Sequence, residues 1–420
     1  MTAAYATAPQ CVPSRAGIMS GKYQQKFGVD ENKLGPLPLN ITTIAERMDL
    51  AGYMTGMVGK WHLEPAHIHH EWIRKNLKGR RQIDPKQVLP YQSWNRGFKE
   101  VFQGNVSKYL ATHDLNGKAL GKITELNYTE PDRIGIQSKA ALQFIERNHS
   151  QAFFLYLSYY APHVPLVTSK KYLNRFPGEM PERRRHALAL ISSVDDGVGR
   201  IMDALRKYKI EENTLVIFMS DNGAPMGRTR PDVPVRDHSG NWDGSINDPF
   251  VGEKGMLTEG GIRIPFIAYW KGQIIPGQVI DEPVSTLDAS TTAVALAGQE
   301  TTELDGINLI PHLNQEKQRW PYRMFYWRWR NQEAVRNHQW KMLRLSDGSK
   351  YVFNLENDQH ENMDLRTERP DVAKNLSPHL SKWLTMLKRP KMKQQKLPQE
   401  EDAWYKHYFK HLHEESILQQ

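Results

Sequence analysis

The sequence predicts an α/β protein: a mixed, largely parallel central sheet flanked by helices, followed by a smaller C-terminal α+β subdomain. Three observations carry this expectation. Short apolar runs at 153–159, 214–219 and 264–270 are each bounded by polar residues, glycine or proline, the pattern of strands buried on both faces. Between the first two, 184–208 repeats apolar residues at helical spacing, with Leu188, Ile191, Val194, Val198, Ile201 and Leu205 on one stripe. After Pro311 the pattern changes to aromatic-rich runs with a turn at Asp347-Gly348, which suits consecutive antiparallel strands.

Taken in order, the first predicted helix is 15–19, where Arg15-Ala16-Gly17-Ile18-Met19 follows Pro13 and Ser14. Ser14 is its expected cap, which places Cys11 at a helix N-terminus. A second helix opens within 36–48, with Thr42 and Thr43 near its start. A short strand at 53–58 precedes Gly59-Lys60-Trp61-His62, and strand alternation would put Lys60 and His62 on one face. The three apolar strands and the 184–208 helix follow. The C-terminal part reads as strands at 324–329, 334–345 and 351–355, covered by a helix at 371–387. Its aromatic stripe is expected to be packing rather than a ligand platform. These elements divide into a catalytic domain over 1–315 and a C-terminal subdomain over 316–420.

At 420 residues the chain can bury a full core. Hydrophobic residues at 39% and charged residues at 25% are ordinary for a globular protein. No apolar run reaches membrane-spanning length, and the polar start Met1-Thr2-Ala3-Ala4 carries no export signal. The formal charge of +9 suits an anionic substrate, although Lys388-Arg389-Pro390-Lys391-Met392-Lys393 reads first as a solvated face. No nucleic-acid-binding module accompanies the charge. Oligomeric state is not legible in the sequence.

With 1 cysteine there is no disulfide framework and no thiolate-rich metal site. A lone cysteine is either a small buried hydrophobe or a reaction centre. The helix N-terminus favours negative charge at Cys11, and Arg15, one turn on, adds a fixed cation.

Cys11-Val12-Pro13-Ser14-Arg15, followed by Ala16-Gly17-Ile18-Met19-Ser20-Gly21-Lys22-Tyr23, resembles the signature of the formylglycine-dependent sulfatases, which have an alkaline-phosphatase-like fold. That resemblance implies conversion of Cys11 to formylglycine, whose hydrated aldehyde is the nucleophile. It also implies a maturation partner, either a formylglycine-generating enzyme or an anaerobic sulfatase-maturing enzyme. Further strings match in family order. Gly59-Lys60-Trp61-His62-Leu63 implies that Lys60 holds formylglycine and sulfate oxygens, and that His62 assists and later deprotonates the nucleophile. Ala161-Pro162-His163-Val164-Pro165 follows a predicted strand, at the carboxyl end where α/β sheets bind ligands. It implies that His163 works on the sulfate and leaving-group side. Ser220-Asp221-Asn222-Gly223 ends the next strand; its hard oxygens suit one Ca²⁺, with Mg²⁺ an alternative. The implied metal ligands are Asp221, Asn222 and position 11. Lys254-Gly255-Met256-Leu257-Thr258-Glu259-Gly260-Gly261-Ile262-Arg263-Ile264-Pro265 marks Lys254 as the cation bridging sulfate and leaving oxygen.

Sulfatases normally begin with a strand ending in Asp-Asp that supplies two further metal ligands well upstream of the cysteine. No such segment precedes Cys11, and Asp195-Asp196 lies inside a predicted helix. The expectation is an N-terminally truncated member whose cation site is half encoded. Two segments read as substrate-selecting insertions. One is 64–98, with His67, His69, His70 and Trp72; the other is 224–251, with Arg228, Arg230, Arg236, His238 and Trp242. The histidine spacing is not a convincing metal set, so a solvated loop is expected. Aromatic and basic residues together suit a sulfated carbohydrate. The resemblance implies sulfate monoester hydrolysis and a periplasmic or extracellular full-length form. The competing readings are a phosphonate monoester or phosphodiester hydrolase of the same superfamily, and an inactive sulfatase-like glycan-binding protein.

Overall fold

A computed structural model describes the chain except residues 78–82, 129–131, 228–241, 243, 318, 390–395, 411 and 413–420. Its strands, in chain order, are β1 (Ala4–Tyr5), β2 (Met54–Gly59), β3 (Glu100–Gly104), β4 (Lys108–His113), β5 (Ala119–Asn127), β6 (Phe153–Ser158), β7 (Val216–Met219), β8 (Phe266–Tyr269), β9 (Val284–Ser285), β10 (Phe325–Trp329), β11 (Gln332–Arg336), β12 (Trp340–Leu345) and β13 (Lys350–Asn354). One sheet has the order β5-β4-β3-β2-β6, with β2 parallel to both β3 and β6 and the β3-β4-β5 pairs antiparallel. A second region joins β9 to β1 in parallel. Backbone bonds then run from β1 to the segment before β8: Ala6 N–H donates to Ile262 O, and Ile264 N–H to Ala4 O, both at 2.9 Å.

β7 and β8 pair antiparallel, Met219 opposite Phe266, so the predicted parallel arrangement fails for this pair. Nor are they buried on both faces. Phe218, Ile267 and Tyr269 are 38%, 59% and 37% exposed, whereas Val216 on the same face packs against the cluster of Phe144, Ile145, Ala204 and Leu205. Within the sheets described, β6 bonds only to β2 and β7 only to β8. Each therefore keeps one open edge.

The helix α1 runs Cys11–Ser20 and is buried along its whole length. It starts four residues earlier than the sequence pattern predicts. Gln10 occupies the cap position without a side-chain bond, and Ser14, the expected cap, sits inside the helix with its hydroxyl buried and unpartnered. Pro13 is tolerated there because a first-turn residue needs no intrahelical N–H partner. Gly21 ends α1 in the left-handed region, its N–H donating to Gly17 O at 2.8 Å. The predicted 36–48 helix contracts to Ile44–Leu50. Thr43 caps it in a reciprocal box with Glu46.

The long predicted helix is Glu182–Lys207. Its buried stripe runs through Ala187, Leu190, Ser193, Gly197 and Leu205, while Ile191 is 46% exposed. Small residues won that stripe because the helix lies close to the helix Arg133–Asn148. A methyl group on Gly197 would stand 2.6 Å from Ser138 Oγ.

The C-terminal strands β10 to β13 form one antiparallel meander. The expected single strand at 334–345 is two strands, because Asn337 Oδ1 accepts the N–H groups of Gln339 and Trp340 and turns the chain. One face packs on the helix Pro370–Thr385 through Val335, Met342, Val352, Leu380 and Trp383. The other packs Phe325, Trp327 and Trp329 with Tyr5, Met256 and Leu257. The aromatic stripe is core, as expected. It is core shared with the strand and the loop that lead to the candidate site.

Candidate active site

Three segments reach the site from strand ends and a fourth from α1. Cys11 is the first residue of α1, 3% exposed. Lys60 and His62 follow β2, His163 follows β6, and Asp221 and Asn222 follow β7, all at carboxyl ends. The strand-alternation argument for Lys60 and His62 does not hold, since β2 stops at Gly59. Gly59 has φ 96, and a Cβ there would meet Ser158 O at 2.0 Å. Only glycine lets β2 end so close to β6 that Lys60 N–H donates to Ser158 O at 2.9 Å. His62 then sits at φ 64, a left-handed conformation that a non-glycine residue keeps only where its surroundings impose it.

Arg15 ties these segments together. Its Nε donates to Asp221 Oδ2 at 2.8 Å, and its Nη1 to Lys60 O at 2.9 Å, to Ser158 Oγ at 2.5 Å and to Tyr156 Oη at 3.2 Å. The guanidinium is thus spent on the ends of β2, β6 and β7, rather than aimed at Cys11 alone. Burial disfavours its charge, yet Tyr156 and Asp221 hold its pKa above the usual value.

Lys254 Nζ donates to Cys11 Sγ at 3.3 Å. Burial opposes a thiolate at Cys11, but Lys254 and Lys60 outweigh it and bring the thiol down to about 6. Asp221 is raised by burial and lowered more by Arg15, Lys60 and Lys254, and rests at about 2. Lys60, 5% exposed, is itself lowered by burial, with Cys11 opposing. His163 falls to about 4 through burial, Lys60 and Lys254, and His62 falls well below its usual value through burial, Lys60 and Arg15. Both imidazoles are therefore neutral at pH 7. His163 Nδ1 lies 2.8 Å from Val164 O. A carbonyl only accepts, so Nδ1 carries the proton and Nε2 is the bare nitrogen.

The structure brings Cys11, Arg15, Lys60, His62, His163, Asp221 and Lys254 into one mutually interacting cluster. Asn222 turns its Nδ2 to Gly223 O at 2.7 Å, and its Oδ1 is buried with no donor, as an oxygen available to a cation would be. Asp221 and Asn222 together supply two side-chain donors, whereas Ca²⁺ takes about six to eight oxygens. Among the described residues no group of three or more His, Cys, Asp or Glu could hold a metal ion. The donors present fit a cation as far as these two residues and do not complete its shell.

Several contributors escaped sequence reasoning. Tyr160 lies under Lys60 Nζ at 5.3 Å and under the Arg133 guanidinium at 5.1 Å, with the His163 ring 5.0 Å away. Arg133 also donates to His163 O at 2.6 Å. Tyr160 abuts the His163 string and could have been read with it, whereas Arg133, 30 residues upstream, carries no local signal. Asn32 Oδ1 accepts the Val12 N–H at 3.1 Å, satisfying one free donor of α1.

The insertions fall differently. In 64–98 the expected solvated loop contains a helix, His70–Leu77, and His69 is buried with its Nδ1 accepting the Ala66 N–H. His67 and His70 are exposed. Trp72 donates to Tyr91 Oη at 3.2 Å, and Trp242 donates to Ser245 O at 2.8 Å. Arg228, Arg230, Arg236, His238 and the basic run from Pro390 to Lys393 lie outside the described residues. No helix among the described residues is long and apolar enough to cross a membrane.

A family model described as Sulfatase matches residues 1–299, and one described as N-sulphoglucosamine sulphohydrolase, C-terminal, matches 251–390. Human N-acetylgalactosamine-6-sulfatase is 30% identical over 337 residues, covering 74% of this chain and 58% of the relative. The uncharacterized sulfatase YdeN of Escherichia coli (strain K12) is 30% identical over 333 residues, covering 75% and 55%. The chain thus spans less than two thirds of the curated relatives it matches. The crystal structure of Ps i-CgsB in complex with k-i-k-neocarrahexaose superposes with a TM-score of 0.73 at 25% identity, over 97% of this chain and 88% of that one.

Proposed function

The chain belongs to the sulfatase family, and from that premise we propose that it hydrolyses sulfate monoesters on a sulfated carbohydrate, with position 11 as the formylglycine. The observation that carries this reading is the charge around Cys11. Arg15, Lys60 and Lys254 gather there around Asp221, while the Glu64 carboxyl beside Lys60 is raised by burial, so among the described residues the cluster is short of negative charge and suited to an anionic group. A sulfate ester resists hydrolysis because charged oxygens shield its sulfur and its alkoxide leaves poorly. The site must neutralise those oxygens and deliver a proton.

Formylglycine at position 11 supplies a hydrated aldehyde, an oxygen nucleophile in place of the thiol. Lys254, already 3.3 Å from the position-11 side-chain atom, would bind a sulfate oxygen and the ester oxygen. Lys60 would bind the opposite sulfate oxygens, with Arg15 fixing the strand ends that present them. His163 offers Nε2 toward the leaving group, its ring held by the Nδ1 bond to Val164 O. Burial and the two lysines keep it neutral in the free protein; a bound sulfate brings negative charge that raises its proton affinity where a leaving alkoxide needs one. His62, neutral for the same reasons, is suited to take the nucleophile's proton. A divalent cation, Ca²⁺ or Mg²⁺, would take oxygens from Asp221 and Asn222 and polarise a sulfate oxygen.

Support for a carbohydrate comes from relatives whose names specify N-acetylgalactosamine-6-sulfate chemistry and from the neocarrahexaose complex of Ps i-CgsB. A maturing enzyme as partner, and a periplasmic or extracellular full-length form, go with this reading. Parallel assays on aryl sulfate and aryl phosphonate esters test it. Sulfate ester turnover is expected to dominate, and preference for the phosphonate would replace the reading with a phosphonate hydrolase. Binding of sulfated glycan without sulfate release, by protein whose formylglycine is verified, would instead mark an inactive glycan-binding member.

A further inference from the structure

Lys254 stands on a stretch that has little regular structure to hold it. Residues 251–258 form no strand or helix, and Gly252 and Gly255 lie at φ 94 and φ 102. A lysine reaches its target through a flexible four-carbon stem, so its backbone must be fixed for the ammonium to be placed to within an ångström. Part of the fixing is backbone to backbone: Lys254 N–H donates to Ala224 O at 3.0 Å, and Gly255 N–H to Pro9 O at 3.1 Å. Side chains add to it: Glu253 accepts the Met226 and Gly227 N–H groups, Asn247 donates to Gly252 O, and β11 supplies a clamp on the far side of the lysine. Gln332, the first residue of β11 and 0% exposed, donates from Nε2 to Gly255 O at 2.9 Å and accepts the Leu257 N–H on Oε1 at 2.9 Å. The same Oε1 accepts the Tyr405 hydroxyl at 2.5 Å. The carboxamide orientation is therefore determined by its partners, since Gly255 O can only accept and Leu257 N–H can only donate.

We propose that Gln332 is a positioning residue for Lys254: its buried carboxamide clamps the backbone just after the lysine and so sets where the ammonium meets the position-11 side chain. A C-terminal strand thereby reaches into the reaction without touching it. Removing the carboxamide would orphan a buried carbonyl and a buried N–H on the loop, and the loop would relax to find water. Lys254 would move with it. The catalytic consequence rests on the sulfatase reading; the geometric one does not.

The test uses Gln332→Met, which keeps the side chain's length, in the wild-type and Lys254→Ala backgrounds. The readout is the rate of alkylation of Cys11 by iodoacetamide at pH 7, in protein produced without a maturing enzyme. Cys11 is the chain's one cysteine, and Lys254 Nζ donates to its Sγ at 3.3 Å, so its reactivity reads where the ammonium stands. Gln332→Met is expected to slow alkylation about three- to tenfold with Lys254 present and to have no effect without it. An unchanged or faster rate, or the same slowing in both backgrounds, overturns the proposal, because general loosening does not need Lys254. Should Gln332→Met fail to fold, Tyr405→Phe removes one bond to Gln332 Oε1 and is expected to give a smaller slowing with the same dependence on Lys254.

With matured protein, kcat for sulfate ester is expected to fall while KM stays within about twofold. If alkylation couples and no sulfate ester turns over, the clamp stands and the sulfatase reading falls. If turnover is present and alkylation does not couple, the reverse holds.

Discussion

Cys11 and Lys254 are joined by the contact most open to measurement at the residue scale. In unmodified protein the thiol is expected to titrate near 6, by the ultraviolet absorbance of the thiolate, and to move up in Lys254→Met. A thiol at the ordinary value would mean the ammonium is elsewhere. The imidazoles make one contribution to the pH dependence of stability, and Glu361 and Glu401, both raised by burial to about 7, make an opposite one. His163 and His62 have folded-state values below the unfolded 6.5, His163 at about 4. A depressed value means that the unfolded chain binds more protons between 6.5 and about 4, so stability is present above that window and lost as pH falls through it. The urea midpoint of the wild type relative to His163→Gln is expected to decline as pH falls through the window, and a constant difference would contradict it.

The candidate residues themselves were legible because short strings carried them, yet the reasons offered for two of them failed. Lys60 and His62 do not share a strand face; they share a loop that exists because Gly59 ends β2 in a left-handed turn. Ser14 does not cap α1. Arg133 and Gln332 were invisible, since each acts on a motif residue more than twenty positions away, and a single sequence carries no signal for pairing at that distance.

Strand and helix types were readable from apolar period, whereas partners were not. β7 and β8 have the same apolar look as β6 but run antiparallel to one another, because period reports burial and not direction. The turn at 337–339 splits one apolar run into two strands through an asparagine that also fits mid-strand. Two element-level outcomes follow from the geometry. Gly59→Ala must push a methyl into Ser158 O, 2.0 Å from the ideal position. Its cost is expected to be about 2–4 kcal/mol in denaturant unfolding, with loss of activity beyond the loss of folded protein. Phe218 and Ile267 present apolar side chains beside the open edge of β7, a liability for edge association. Ile267→Lys is expected to raise the concentration at which light scattering appears, and an unchanged onset would show that this face does not drive association.

Across the whole molecule, segments on the two sides of the proposed division at 315/316 share a buried core. Trp327 donates to Ala6 O at 2.7 Å. Lys341 of β12, 0% exposed, lies 2.9 Å from Glu259 and 2.8 Å from Glu361, and Tyr5 donates to that same Glu259 at 2.6 Å. Breaking such a buried set leaves charges unpaired, so the C-terminal sheet and the Lys254 loop are expected to unfold in one transition. Calorimetry resolving two well-separated transitions would contradict this. The sequence suggested the two architectures through their patterns, but the shared core, Tyr5 with Met256 and Trp327, joins segments too far apart in the chain for period or spacing to connect.

The proposed reaction is the loss of sulfate through position 11. Its direct test is inorganic sulfate release from a sulfated oligosaccharide by protein co-produced with a maturing enzyme, with position 11 verified as formylglycine by mass spectrometry. Sulfate release that disappears in Cys11→Ala is the expected result. Release that persists in Cys11→Ala, or none from verified formylglycine protein, would contradict the account.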